Sequence, residues 1–189
     1  MERVPNVVLG VTGSIAAYRA VDLASLLVKA GCQVRVVMTA DAQRFVTALP
    51  FKTLSRNPVI TDLYDEDEGW KPSHIAVADA ADLLLVAPAT AHTLARMTHG
   101  LADDALACVY LALPPKTPVL IAPAMNGKMW LHPATQANVT VLQGRGVEIL
   151  GPDEGLLSCG YEGVGRLWPV DRIAARVMAV LEAARHGSS

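Results

Sequence analysis

The chain has no basic run, no apolar run of about 18 residues, and no closely spaced cysteine pair. Its 16 lysines and arginines face 18 aspartates and glutamates, for a formal net charge of -2. Nucleic acid and membrane are therefore not expected partners, because polyanions and anionic bilayers are gripped by clustered cations and a bilayer is spanned by a long apolar segment. The three cysteines, Cys32, Cys108 and Cys159, are odd in number and far apart. That spacing argues against a disulfide framework and a zinc site, and no metal is expected. Met1-Glu2-Arg3-Val4-Pro5 contains no apolar secretion segment, so a cytoplasmic protein is expected. Aromatic residues make up only 5% of the chain, which leaves the core to aliphatic side chains. No internal repeat, low-complexity tract or linker interrupts it.

What the chain has in quantity is aliphatic sequence: 52% of it is hydrophobic, enough for one compact domain spanning residues 1–189. Asn6 to Val11, Gln33 to Met38, Leu83 to Ala87, Val119 to Pro123 and Val147 to Leu150 read as buried strands. Between them lie helix-period segments, among them Ile15, Tyr18, Val21, Leu26 and Leu27, and the run from His132 to Gly144. Such βα alternation forces a parallel sheet with right-handed crossovers, a three-layer α/β domain. Short helices are expected at Asp41 to Phe45 and Phe51 to Ser55, and further helices at Leu94 to Met97, Asp103 or Asp104 to Leu113, and Val170 to Ala184.

In such a sheet, ligands bind outside the carboxyl ends of the strands. Thr12-Gly13-Ser14, Thr39, Pro88-Ala89-Thr90 and Pro123-Ala124-Met125-Asn126 all fall there. Pro123 ends its strand because it has no amide to continue the ladder, which leaves Asn126 facing ligand space. The Gly13-Ser14 turn starts a helix, where free amides and the dipole suit a phosphate; an ordinary serine N-cap explains the same residues equally well. His74 lies in the first turn of a helix opened by Lys71-Pro72-Ser73, and the acidic run Asp65 to Glu68 reads as a solvated excursion. After the last strand, five glycines between Gly151 and Arg166 suggest a flexible Gly-rich flap over 151–168. Small molecules, peptides or other protein chains are the expected partners.

Five segments, taken together, resemble one family: Gly10-Val11-Thr12-Gly13-Ser14-Ile15-Ala16-Ala17-Tyr18, His74-Ile75, Pro88-Ala89-Thr90-Ala91, Pro123-Ala124-Met125-Asn126, and Cys159-Gly160-x-x-Gly163-x-Gly165-Arg166. They are similar, in order and spacing, to the homo-oligomeric flavin-containing cysteine decarboxylases. The resemblance implies a flavodoxin-like (Rossmann-like) fold, FMN as cofactor near subunit contacts, and a homotrimer or a dodecamer of trimers. It further implies that Gly13 and Ser14 hold the FMN phosphate and that Thr39, Ala89, Thr90, His92 and Met125 lie near the flavin. His74, Asn126 and Cys159 would be the catalytic group.

The implied chemistry oxidises a cysteinyl thiol to a thioaldehyde, so that C=S stands β to the carboxylate and CO₂ can leave. Asn126 would hold the carboxylate and His74 would assist proton transfer. Cys159 separates the family's branches. By the resemblance, the coenzyme A branch acts on phosphopantothenoylcysteine, reduces the enethiol with the same flavin and uses the flap cysteine as proton donor, whereas the peptidyl-cysteine branch releases an enethiol on a peptide C-terminus. Some relatives are FMN-binding regulatory subunits. The expected substrate is thus a small-molecule thiol or a peptide C-terminus, with Cys159 favouring the former. The family's basic residue and tryptophan after the histidine are replaced by Asp79 and Ala80, so the substrate-phosphate and neighbour-subunit contacts that the resemblance implies are not expected from these two positions. In a chain of 189 residues, the synthetase to which members of the coenzyme A branch are often fused is not expected.

Overall fold

Aliphatic residues that point alternately to opposite sides of an extended chain need cover on both faces, and helices supply it here. The computed structural model describes residues 3–64, 73–156, 160 and 162–186. Six strands, β1 (Asn6–Val11), β2 (Gln33–Met38), β3 (Val59–Ile60), β4 (Leu83–Ala89), β5 (Val119–Pro123) and β6 (Glu148–Ile149), form one parallel sheet in the order β3-β2-β1-β4-β5-β6. Without the two-residue edge strand β3 the order is 2-1-3-4-5, that of a flavodoxin-like fold. β3 was not expected from sequence, because two residues are too few to show a period.

A 3₁₀ turn (Ile15–Tyr18) runs into α1 (Arg19–Lys29), and a second 3₁₀ turn (Ala42–Arg44) precedes α2 (Ala48–Ser55). Then follow α3 (Ser73–Ala80), α4 (Ala91–His99), α5 (Ala105–Ala112), α6 (Gly127–Trp130), α7 (Pro133–Gly144) and α8 (Val170–His186). One sheet face, with Val7, Leu9 and Leu85, packs on Leu23 and Leu27 of α1 and on Ile173 and Val177 of α8. The other, with Val8, Leu84 and Ile121, packs on Leu94 of α4, Leu106 of α5 and Leu142 of α7. The approach of α5 is close: a Cβ at Gly10 would lie 2.5 Å from Leu106 Cδ1.

Several expectations need correction. Ile15 and Tyr18, expected on the buried stripe of the first helix, are 57% and 59% exposed. The 3₁₀ entry turns the phase of the helix, so that Ala20, Leu23, Ala24 and Leu27 face the core instead. The second short helix begins at Ala48 rather than Phe51, and β4 runs on through Pro88 to Ala89. The acidic run, Lys71 and Pro72 lie outside the described residues.

The largest correction concerns the flap. β7 (Asp153–Leu156) and β8 (Glu162–Arg166) pair antiparallel, so much of 151–168 is a β-ribbon rather than a loose loop. Trp168 closes its base: a Cβ at Gly151, where φ is +86°, would lie 2.4 Å from the indole Cδ1 if built, so only glycine fits. The Arg172 guanidinium stacks on the indole, 3.7 Å from the ring centroid.

Because Leu85 is wholly buried in the central β4, Leu85→Ala should lower unfolding free energy by about 2–5 kcal/mol, read from the urea midpoint.

Candidate functional site

The strand order reverses between β1 and β4, where adjacent crossovers leave to opposite faces and open a crevice. Thr12, the first residue after β1, is 1% exposed. Its hydroxyl donates to the Pro88 carbonyl at 2.7 Å and accepts from the Thr90 amide at 3.1 Å. Thr90 in turn caps α4 by accepting from the Thr93 amide at 3.2 Å. One threonine therefore sets the height of the second loop.

The same rim is tied to β5. The Ser14 hydroxyl donates to the Ala124 carbonyl at 3.1 Å and accepts from the Ala16 amide at 3.3 Å. The Ala124 amide donates to Ala89 O at 3.0 Å. On the β2 side, the Thr39 amide donates to Val11 O at 3.0 Å, and the Thr39 hydroxyl accepts from the Ala42 amide at 3.2 Å. A Cβ at Gly13 would lie 2.5 Å from Asp41 Cβ, so only glycine lets the first turn pack this closely on the loop after β2. Gly13, Ser14, Thr39, Ala89, Thr90 and Met125 thus come to one edge of the sheet. The Ser14 hydroxyl is the N-cap of the 3₁₀ turn and a strut to β5.

Asn126 is itself an N-cap, a feature not anticipated from sequence: its Oδ1 accepts from the Lys128 amide at 2.9 Å and starts α6. That bond orients the carboxamide so that its NH₂ is the donor the side chain offers. His74 is half-buried in the first turn of α3, a helix that precedes β4 and so begins on the same edge. Among the described residues its Nδ1 is buried without a hydrogen-bond partner. No hydrogen bond joins it to the rim among these residues. Cys159 lies outside the described residues.

His92 is exposed on α4, its Nε2 3.5 Å from Arg96 Nη1. Arg96, whose side chain is 12% exposed, pairs with Asp103 and with Asp104 at 2.7 Å. Asp104 also caps α5 through the Ala107 amide at 2.7 Å. Next to this network, burial first and the Asp104 charge second push the Cys108 thiol up. Burial also raises the Cys32 thiol, which lies 3.6 Å from Met178 Sδ. Both stay protonated at neutral pH, and neither belongs to the rim.

Two residues that the sequence reading named only within motifs, with no role of their own, matter here. Thr12 signals itself only as a polar residue directly after an apolar strand. Gly165 accepts the Met125 amide at 3.0 Å, a docking that glycine spacing does not reveal. A cavity of about 480 Å³ lies at the amino end of β5, beside Tyr110, Lys116 and Arg145, well apart from the rim. The segments leaving the rim carry exposed apolar side chains: Ile15, Tyr18, Phe45, Met129 and Leu131. Among the described residues no helix is long and apolar enough to cross a membrane.

Comparison with known proteins places this rim in context. The profile of the Flavoprotein family matches residues 1–182. A probable phosphopantothenoylcysteine decarboxylase of Streptococcus mutans is 44% identical over 172 residues, covering 91% of this chain and 96% of that one. The coenzyme A biosynthesis bifunctional protein CoaBC of Bacillus subtilis is 49% identical over 162 residues, covering 86% of this chain. Only 39% of that relative is matched, so the chain spans about two fifths of it. Among solved structures, a cysteine-to-serine mutant of PPC decarboxylase complexed with pantothenoylaminoethenethiol superposes with a TM-score of 0.87 at 29% identity, covering 95% of this chain and all of that one. The FMN binding protein AtHal3 gives 0.83 at 30% identity, covering 96% and 98%.

Thr12→Val keeps the shape but strands the Pro88 carbonyl and the Thr90 amide. It should lower stability by about 1–3 kcal/mol and speed hydrogen exchange at the Thr90 amide.

Proposed function

The chain belongs to the flavoprotein family, and from that premise we propose that it is an FMN-dependent cysteine decarboxylase converting phosphopantothenoylcysteine to pantetheine 4'-phosphate. The observation that carries this reading is the hydrogen-bonded rim, in which Ser14 and Thr12 draw the β4 and β5 loops to the β1 turn. The named relatives and solved structures support the same activity.

The residues present fit FMN. The Gly13-Ser14 turn opens a helical segment, whose positive N-terminal end suits a phosphate, and Gly13 lets that turn pack closely on Asp41. In this reading the turn would hold the phosphate, with the Ser14 hydroxyl steadying it through Ala124, and Thr39, Ala89, Thr90, His92 and Met125 would be the residues beside the ring system. Bound FMN supplies the two-electron acceptor that thiol oxidation requires.

Once C=S stands β to the carboxylate, the C–C bond to CO₂ breaks and its electron pair passes to sulfur as an enethiolate. Asn126 donates its NH₂ to the carboxylate, and the Lys128 amide on Oδ1 keeps that group facing it. His74, whose Nδ1 has no partner among the described residues, moves the proton at the reacting cysteine. Cys159 would deliver the proton that completes the saturated thiol, while the two electrons taken up in the oxidation would return from the reduced cofactor; the role is assigned from the sequence resemblance. The exposed Ile15, Tyr18, Phe45, Met129 and Leu131 are covered by neighbouring copies in a homotrimer or a dodecamer of trimers, which encloses the flavin. The protein works in the cytoplasm.

Asp79 and Ala80 favour a second reading, a peptidyl-cysteine decarboxylase that leaves an enethiol at a peptide C-terminus, because they replace the basic residue and tryptophan common in the family. Mass spectrometry of products from both substrate types decides between the two. Saturated pantetheine 4'-phosphate plus CO₂ is expected, and an enethiol from peptides ending in cysteine, with phosphopantothenoylcysteine untouched, would transfer the assignment. Purified protein should be yellow and release FMN on denaturation. Asn126→Asp, which sets a carboxylate against a carboxylate, should cut kcat/KM by about 100-fold or more. Cys159→Ser should accumulate the enethiol, and normal saturated product from that variant would remove the role of Cys159.

A further inference from the structure

β7 and β8 do not pair evenly. Asp153 faces Arg166 and Glu154 faces Val164, so Gly165 has no counterpart and is the extra residue of a β-bulge. Its φ is +143°, a conformation that L side chains rarely adopt. Released from the ribbon ladder, its carbonyl turns to the β5–α6 loop and accepts the Met125 amide at 3.0 Å. A Cβ at Gly165 would collide with the Met125 carbonyl and stand 3.2 Å from the Gly127 nitrogen. The contact is therefore backbone on backbone, at the two residues that flank Asn126.

Among the described residues, three tethers act on the part of this loop ahead of Asn126. The Ala124 amide on Ala89 O and the Ser14 hydroxyl on Ala124 O come from the sheet edge, and both stop short of Asn126. The third, from Gly165, is the tether that reaches Met125 from the ribbon. The ribbon is itself anchored at its base by Trp168 against Gly151 and Arg172 against Trp168. Its bulge can thus set the backbone next to Asn126 from a fixed point.

We propose that Gly165 is a positioning residue: its bulge locks the Met125–Gly127 backbone so that Asn126 meets the substrate carboxylate at a fixed angle. The ribbon then contributes to discrimination between a carboxylated thiol and its decarboxylated product. This inference rests on the cysteine decarboxylase reading and assigns that reading a residue outside the rim. It predicts a loss specific to the carboxylate when the bulge is disturbed, because misplacement by an ångström weakens an oriented contact by about 100-fold.

The test uses the holoprotein, Gly165→Ala, and Gly144→Ala as a control, since nothing lies within 4 Å of a Cβ at Gly144. Hydrogen exchange at the Met125 amide is measured first, without substrate. Protection is expected in the parent protein and in Gly144→Ala, with exchange about 10-fold faster in Gly165→Ala. FMN content should stay near that of the parent, while Tm falls by a few degrees because the added Cβ strains the bulge. For phosphopantothenoylcysteine kcat should fall about 100-fold, and affinity for the substrate should drop while affinity for pantetheine 4'-phosphate holds.

A Met125 amide that exchanges in the parent protein like that of an unstructured chain overturns the proposal. So does a Gly165→Ala protein with the parent kcat, one that weakens substrate and product equally, or one that loses FMN or fails to fold. The exchange arm needs no substrate, so a parent protein inactive on phosphopantothenoylcysteine overturns the substrate reading alone.

Discussion

The buried hydroxyl of Thr12 joins the two sides of the strand-order reversal. Parallel sheets place their loops on one edge by topology, but topology does not fix how high each loop stands. A side chain that donates to Pro88 O and accepts from Thr90 N does fix it. Ser14 extends the same arrangement to Ala124, and Ala124 returns it to Ala89. In a buried setting each of these bonds must be kept, because an orphaned polar group costs more than the bond contributes when made. The rim is therefore built as a unit, and the helices capped by Thr90 and Asn126 start from it.

Most of this was legible in the sequence where burial is two-sided. Leu83 to Ala87 and Val119 to Pro123 are continuous aliphatic runs, because both of their faces meet helices. Pro123 and Thr90 marked strand end and helix start through their own chemistry. Ile15 and Tyr18 misled because periodicity does not report whether a helix is entered through a 3₁₀ turn. β3 and α6 are too short for a periodic signal, and β3 owes its place to pairing with Val36 and Val37. Such long-range pairing leaves no local trace.

The candidate site divides along the same line. That Thr12 to Ser14, Pro88 to Thr90 and Pro123 to Asn126 share an edge follows from strand order alone. That Asn126 is held by Lys128 on one side and, through Met125, by Gly165 on the other does not. A glycine-dense run looks mobile on paper because glycine lowers local order. Here Gly151 and Gly165 are instead points of close approach, one for an indole ring and one for a backbone carbonyl. The proposed decarboxylation would use both features, a rigid rim for the cofactor and a precisely hung amide for the carboxylate. The exposed apolar residues beside the rim fit a site completed by neighbouring subunits.

The central claim is spatial, so the crystal structure of the protein with FMN bound tests it most directly. The account predicts the phosphate within about 3 Å of the backbone amides of the Gly13-Ser14 turn, and the ring system lying along Ala89, Thr90 and Met125 with Asn126 beside it. FMN seated at the amino ends of the strands, or on a surface that leaves Ser14, Thr90 and Asn126 untouched, would contradict it.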